Sequence, residues 1–295
     1  MQLKGIFTNK PSSFRVVLLL FIMLISVMIH TAIASRLISI FGYNDTLMIY
    51  DLTNQVYVNC LKFMQLFSAI GLFITPILLF SYLTNYNLKF QNINRQNIML
   101  VVAIMFLIVP FIELLLQWNI MINFPEWLMQ FNIDSDELIT AFLQMDTIGD
   151  LLYTLLIIAV VPAIGEELLF RGYLQQKLGC VLNNKHIAIV LTAFFFSAIH
   201  LHFNGLIPRF VLGVLLGYLF YWSHSLWMPI LAHFLNNAQA VIFSYSIFKI
   251  EDGPYSLLSE SKVDPSMAIF SLASVILLLY ILYQNIKIKK ADAIG

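Results

Sequence analysis

The segment Gly165-Glu166-Glu167-Leu168-Leu169-Phe170-Arg171-Gly172 puts three formal charges at the end of an uninterrupted apolar run over 151–164. Ionisable groups inside lipid cost about 2.5–3.5 kcal/mol each on insertion scales, so each one needs a reason. Glu167 and Arg171 stand at i and i+4 with the acid nearer the amino end, the order that favours an ion pair on one helix face. Glu166 is rotated from Glu167 by about 100° and has no such partner on its own helix. It must meet another helix, water or a substrate, unless the cluster is only a snorkelling cytoplasmic interface. Two further segments argue for chemistry. Phe196-Ser197-Ala198-Ile199-His200 places an imidazole deep in the next apolar run, where the plainer role is a structural hydrogen bond. His233-Phe234-Leu235-Asn236-Asn237 places His233 and Asn237 on one helix face, as interhelical glue or as a pair of oxyanion donors. Together they form a hydrolytic set: a base that polarises water, a partner that shuttles the proton, and donors that steady a tetrahedral intermediate.

The elements that must position these residues are membrane helices. Of the 295 residues, 60% are hydrophobic and only 11% charged, against about 25% charged in a soluble domain. So apolar a chain cannot cover a globule with polar side chains, which excludes an ordinary soluble enzyme and a disordered chain. Lys+Arg and Asp+Glu total 16 each, so no basic excess exists to neutralise phosphates and nucleic acid is not an expected partner. The partner surface is instead the lipid bilayer. The runs are continuously apolar and do not alternate, which favours helices over a barrel. The expected fold is all-α, a polytopic integral membrane protein with about eight spans, near 14–34, 61–83, 98–119, 150–172, 186–203, 206–222, 227–247 and 267–286. Residues 1–149 would hold three spans and an outer amphipathic segment, 150–247 the helical core with the polar constellation, and 248–295 an outer loop and the last span.

Short-loop Lys and Arg set orientation. Lys4, Lys10 and Arg15, then Lys89 and Arg95, Lys177 and Lys185, and finally Lys287, Lys289 and Lys290 fall on one side. The other side carries 120–149, acidic and free of Lys and Arg, and 248–266, where acids outnumber bases. Both termini are therefore expected in the cytoplasm. Ala32-Ile33-Ala34 has the small-x-small pattern of a signal cleavage site, but the preceding apolar run is long and reads as a retained anchor. Trp127, Leu128, Phe131, Ile133, Leu138, Phe142 and Leu143 are expected to line a helix on the outer interface. Cys60 and Cys180 fall on opposite sides and cannot pair. His30 reads as a packing or interfacial residue, His202 as interfacial, and Glu113 as snorkelling. Gly213 and Gly217 form a GxxxG whose close approach is expected within the monomer.

Glu166-Glu167-x-x-x-Arg171, Phe196-x-x-x-His200 and His233-x-x-x-Asn237, in that order and each on an expected span, resemble the three motifs of the CPBP family. This family, also called Abi, unites CAAX prenyl endopeptidases with bacteriocin-processing proteins. The resemblance covers about 150–245 and implies an eight-helix intramembrane endopeptidase in a bacterial cytoplasmic membrane. By position it implies Glu166 as the carboxylate that activates water, with His200 assisting. His233 and Asn237 would stabilise the oxyanion, and the Glu167–Arg171 pair would hold the first motif in place. The implied substrate is a membrane-associated peptide or protein, with lipidated proteins as one precedent. No cofactor is required by this reading. The alternative is zinc on Glu166, His200 and His233 with one open position; it is disfavoured because Asn is a poor zinc ligand and a natural oxyanion donor. A non-proteolytic scaffold or self-immunity protein of the same fold is the main rival, and a transporter is a third reading without a visible inverted repeat. HExxH and Gly-x-Ser-x-Gly are absent, and Thr147 stands where a Gly-x-Gly-Asp site at Asp150 would need glycine.

Overall fold

A computed structural model describes residues 3–43, 50–248 and 263–292. Helix α1 spans Ser12–Ile40 and α2 Gln55–Thr84, the latter with a π-turn at Ile70–Ile74. Helices α3, Arg95–Leu107, and α4, Val109–Ile120, are bent by 41°. Pro110 lies just past that bend, and its missing N–H removes a bond from the helical ladder. Helix α5 covers Glu126–Phe142, and α6 runs over Ile148–Val181 with π-turns at Leu155–Val160 and Phe170–Gln175. Then follow α7, Lys185–Ala198; α8, Leu206–Ser223, entered through a 3-10 turn at Phe203–Gly205; α9, Trp227–Phe248; and α10, Pro265–Asp292.

The protein is all-α and polytopic, and every apolar segment expected from the sequence is helical. The count of eight spans is not reproduced by length and composition. Among the described residues five helices are long and apolar enough to cross a membrane, or six if the bent α3–α4 pair is one span. Two expected spans fall short for different reasons. Helix α7 has only 14 residues, below the roughly 20 that a hydrocarbon core of about 30 Å requires. Helix α9 has 22 residues, but His233, Asn236, Asn237 and Gln239 dilute its apolar character.

Side chains on α1 such as Val17, Leu20, Phe21 and Met28 are exposed, as are Ile276, Leu277 and Tyr280 on α10, which suits helices bathed in lipid. Inside, two apolar clusters flank the α8–α9 pair. One joins Leu19 and Ile22 of α1 to Ile77 and Phe80 of α2, Leu168 and Tyr173 of α6, and Phe220 of α8. The other joins Ile104 and Met105 of α3, Leu216 and Leu219 of α8, Ala232 of α9 and Val275 and Leu282 of α10. A smaller cluster sets Ala141 and Phe142 of α5 on Val58 of α2, with Leu138 against it. The outer segment is thus a helix, but Leu138 and Phe142 face protein, whereas Trp127 remains exposed. The side chains of Phe131 and Ile133, and most of the 248–266 loop, lie outside the described residues.

Close approaches are made where side chains are missing. A Cβ on Gly165 would lie 2.8 Å from the Phe73 Cβ, so α6 crosses α2 at its π-turn with no room to spare. A Cβ on Gly217 would lie 2.7 Å from Ile189 Cγ2, and one on Gly213 3.0 Å from the Ala193 Cβ. The GxxxG therefore packs within the monomer, against α7. Both glycine carbonyls are also taken by α6: Arg171 Nη2 donates to Gly213 O at 2.9 Å and Gln175 Nε2 to Gly217 O at 3.0 Å.

Candidate active site

Glu166 and Glu167 lie near the middle of α6, because that helix continues to Val181 and does not stop near 172 as the sequence suggested. The snorkelling reading fails with that extension: Glu167 and Arg171 are fully buried, and Glu166 is only 13% exposed. Arg171 Nη1 donates to Glu167 Oε1 at 2.6 Å, the expected i,i+4 pair. The same oxygen accepts from His233 Nδ1 at 2.9 Å, which the sequence did not foretell. Glu167 thus serves two donors from two helices. A buried charge without such partners would cost several kcal/mol.

His200 was expected deep in a span, but α7 ends at Ala198 and His200 sits just beyond it. Its Nδ1 donates to the Phe196 carbonyl at 2.7 Å, so the imidazole itself satisfies one of the helix's last carbonyls. Leu201 then adopts φ 52°, the left-handed conformation that a branched side chain rarely takes, and the chain reverses. The reversal turns His200 toward Glu166 and His202 toward α5, where His202 Nε2 meets Asp136 Oδ1 at 2.8 Å. Asn119 of α4, fully buried, pins the following segment: its Nδ2 donates to Phe203 O at 2.7 Å and its Oδ1 accepts from Ile207 N at 2.6 Å.

The three motifs converge on one carboxylate oxygen. Glu166 Oε2 lies 3.9 Å from His200 Nε2 and 3.9 Å from His233 Nε2, and it has no hydrogen-bond partner in the protein. The second-nitrogen bonds fix the tautomers: a carbonyl only accepts, so His200 Nδ1 carries the hydrogen, and His233 Nδ1 donates to the Glu167 carboxylate. Both rings therefore turn Nε2 toward Glu166, and in the neutral tautomer that nitrogen is the acceptor. A gap of 3.9 Å is too long for a direct hydrogen bond but is bridged by one water, with two edges of about 2.8 Å meeting at about 90°. His200 is 32% exposed against 4% for His233, so water reaches the site from the His200 side.

Phe196 gives the second motif its aromatic. Its ring lies 5.3 Å from His200, 5.6 Å from His233 and 5.3 Å from Phe170, and the Arg171 guanidinium stacks over it at 4.6 Å. Asn237 is held from α6. Pro162 has no N–H to offer the Ile158 carbonyl four residues before it, and Asn237 Nδ2 donates to that oxygen at 2.9 Å. This occupies one of the two N–H groups of the amide and leaves the other.

Two charged residues were missed, although each interrupts an expected span in plain sight. Lys62 of α2 is buried and donates to Thr154 Oγ1 on α6 at 3.0 Å. Arg209 of α8 donates to the His202 carbonyl at 3.2 Å, and its Nη2 lies 3.3 Å from His202 Nδ1. The minor polar residues fall where expected. His30 bonds Ser26 O at 2.8 Å and Thr75 Oγ1 at 3.3 Å between α1 and α2, and Cys60 and Cys180 are both free.

Glu166, His200 and His233 have the chemistry of a zinc set. Around a tetrahedral ion with bonds of about 2.1 Å, ligand atoms stand roughly 3.4 Å apart. The separations here are wider, and among the described residues no group of three or more His, Cys, Asp or Glu is arranged to hold a metal ion. As placed, the three do not fit one.

An all-α polytopic membrane protein thus holds a buried carboxylate between two imidazoles, and an ionisable group kept inside a membrane at such a cost marks a candidate functional site. Residues 148–239, the segment that carries all three motifs, match the family model described as Type II CAAX prenyl endopeptidase Rce1-like. Neither a curated protein nor a solved structure gives a match.

Proposed function

We propose that this protein is an intramembrane endopeptidase that hydrolyses membrane-associated peptides or proteins with a water molecule activated by Glu166. The observation that carries the reading is the Glu166 Oε2 atom, unpartnered and equidistant from two imidazole nitrogens. Glu166 takes a proton from water as the water oxygen adds to the scissile carbonyl carbon. The oxyanion then develops beside His233 and Asn237. Asn237 has its second N–H for it; His233 donates as well when its Nε2 carries a proton drawn from bulk water before the attack and returned to it afterwards, an imidazolium that the Glu167 carboxylate behind the ring would stabilise. The proton held by Glu166, relayed through His200, passes to the amide nitrogen, the C–N bond breaks, and a carboxylate and an amine leave. Every group in this sequence belongs to the chain, so the mechanism is metal-free. The charge pattern of the loops supports cytoplasmic termini in a bacterial cytoplasmic membrane, with lipidated proteins among the admissible substrates.

The deciding experiment compares membrane-associated peptides across the proteome of cells carrying the wild type or Glu166→Ala. Substrates should accumulate uncut in the variant at equal protein level. Identical peptide profiles would remove the protease reading and leave a scaffold of the same fold.

A further inference from the structure

Arg209, in the first turn of α8, is a cation without a direct ion pair among the described residues. None of the ion pairs among the described residues includes it, yet it interacts electrostatically with Glu166 and lies beside His200 and His202. Among the described residues its hydrogen bonds go to His202, and a guanidinium has more N–H groups than these two contacts use. None of its nitrogens is both buried and unpartnered, so the remaining donors are reachable. An intramembrane charge is costly unless it meets an opposite one, and no protein carboxylate stands within ion-pair distance of this one among the described residues.

The surroundings hold this guanidinium still. Arg209 can only donate, so His202 Nδ1 accepts from it and His202 Nε2–H donates to Asp136 Oδ1 at 2.8 Å. Asp136 thereby fixes the tautomer that can receive Arg209. Gly205 completes the cradle, since a Cβ there would lie 3.0 Å from Arg209 Nη2 and 3.2 Å from His202 Nδ1. Asp136 comes from α5, His202 from the reversal after α7 and Arg209 from α8. Three elements therefore converge to set one planar fork of donors within electrostatic reach of the Glu166 carboxylate. Such a fork matches a carboxylate in two parallel hydrogen bonds.

We propose that Arg209 is a specificity-determining residue, whose guanidinium, positioned by His202 and Asp136, binds a carboxylate of the peptide substrate beside Glu166. This rests on the protease reading for its substrate. The carboxylate has two possible sources, the free end of the chain or an acidic side chain. The test uses a fluorescent peptide series of one sequence ending in a carboxylate or a carboxamide, with its single acidic residue as Glu or Gln. Binding is read by anisotropy in nanodiscs of zwitterionic lipid, using Glu166→Ala so that nothing is cut, and kcat/KM is read with otherwise wild-type protein.

Removing the recognised carboxylate should weaken binding about tenfold or more, and Arg209→Gln should abolish that difference. Arg209→Lys, which keeps the charge but not the fork, should restore part of it and shows that the position tolerates change. Asp136→Asn should reduce the preference through KM, with kcat little altered. A loss on amidation assigns the chain end, and a loss on Glu-to-Gln exchange assigns the side chain. Equal binding of all four peptides, or a preference that survives in Arg209→Gln, overturns the subsite. Cleavage without any preference would leave the protease standing and the subsite refuted. A carboxylate preference in binding by a protein that cuts no peptide would do the reverse.

Discussion

The Glu166 carboxylate and the imidazoles facing it make distinct demands. Glu166→Ala and His200→Ala should each abolish peptide cleavage while the protein remains monodisperse in detergent, because Glu166 Oε2 has no partner to lose and His200 gives up only one bond at the end of α7; full activity in either would contradict its role. Glu167 is different, since its Oε1 anchors both Arg171 and His233. Glu167→Gln leaves Arg171 without its counter-charge in a fully buried place. Losing one partner of a buried pair costs about 3–5 kcal/mol, so this variant should melt well below the wild type as well as lose rate. Unchanged melting with lost activity would show that Glu167 only orients His233. The pairing of Glu167 with Arg171 was legible from i,i+4 spacing, and so was the isolation of Glu166. The His233–Glu167 bond was not, because it joins α9 to α6 and depends on how two helices cross.

At the scale of elements, irregular helices do the positioning. The π-turn at Leu155–Val160 ends against Pro162, and the carbonyl this proline leaves without a donor holds Asn237 in place. Pro162→Ala should restore a main-chain donor to Ile158, compete with Asn237 and lower kcat more than KM, which steady-state kinetics would read. Gly217→Leu forces a side chain into space already filled by Ile189 and Gln175. Overpacking of this kind costs about 1–3 kcal/mol, and a lower midpoint in thermal scanning should follow. Hydrophobic runs located every helix, since apolar length alone is enough to find one. They misplaced ends, running α7 too far and stopping α6 too soon. Helix ends depend on local bonds such as His200 Nδ1 to Phe196 O and on a left-handed Leu201, which hydropathy does not register.

For the whole molecule, the constellation of two acids and two imidazoles assembles only when α6, α7 and α9 come together, and α8 braces them through its paired glycine carbonyls. A metal-free site predicts that strong chelators leave peptide cleavage intact; inactivation followed by rescue with zinc would refute it. On the proposed orientation, with both ends in the cytoplasm, a fluorescent protein fused at the carboxyl end should fold and glow, and a periplasmic reporter fused there should stay silent. Composition placed the chain in a membrane, and motif order pointed to the candidate site, whereas the bracing came from glycines whose only sequence mark is their four-residue spacing.

Helix α9 is long enough to span but too polar to count among the apolar spans, because it carries His233, Asn236, Asn237 and Gln239. During synthesis such a segment partitions poorly from the translocon on its own. Only the short stretch 224–226 separates it from α8, so the two should enter the bilayer as one hairpin, with the polar face of α9 covered before it meets lipid. Grafted singly into a host protein, α9 should be left outside the membrane; grafted with α8, it should integrate. Biogenesis of this protein is thus coupled to the residues proposed to give it activity, and a more apolar α9 would insert more readily while losing its chemistry.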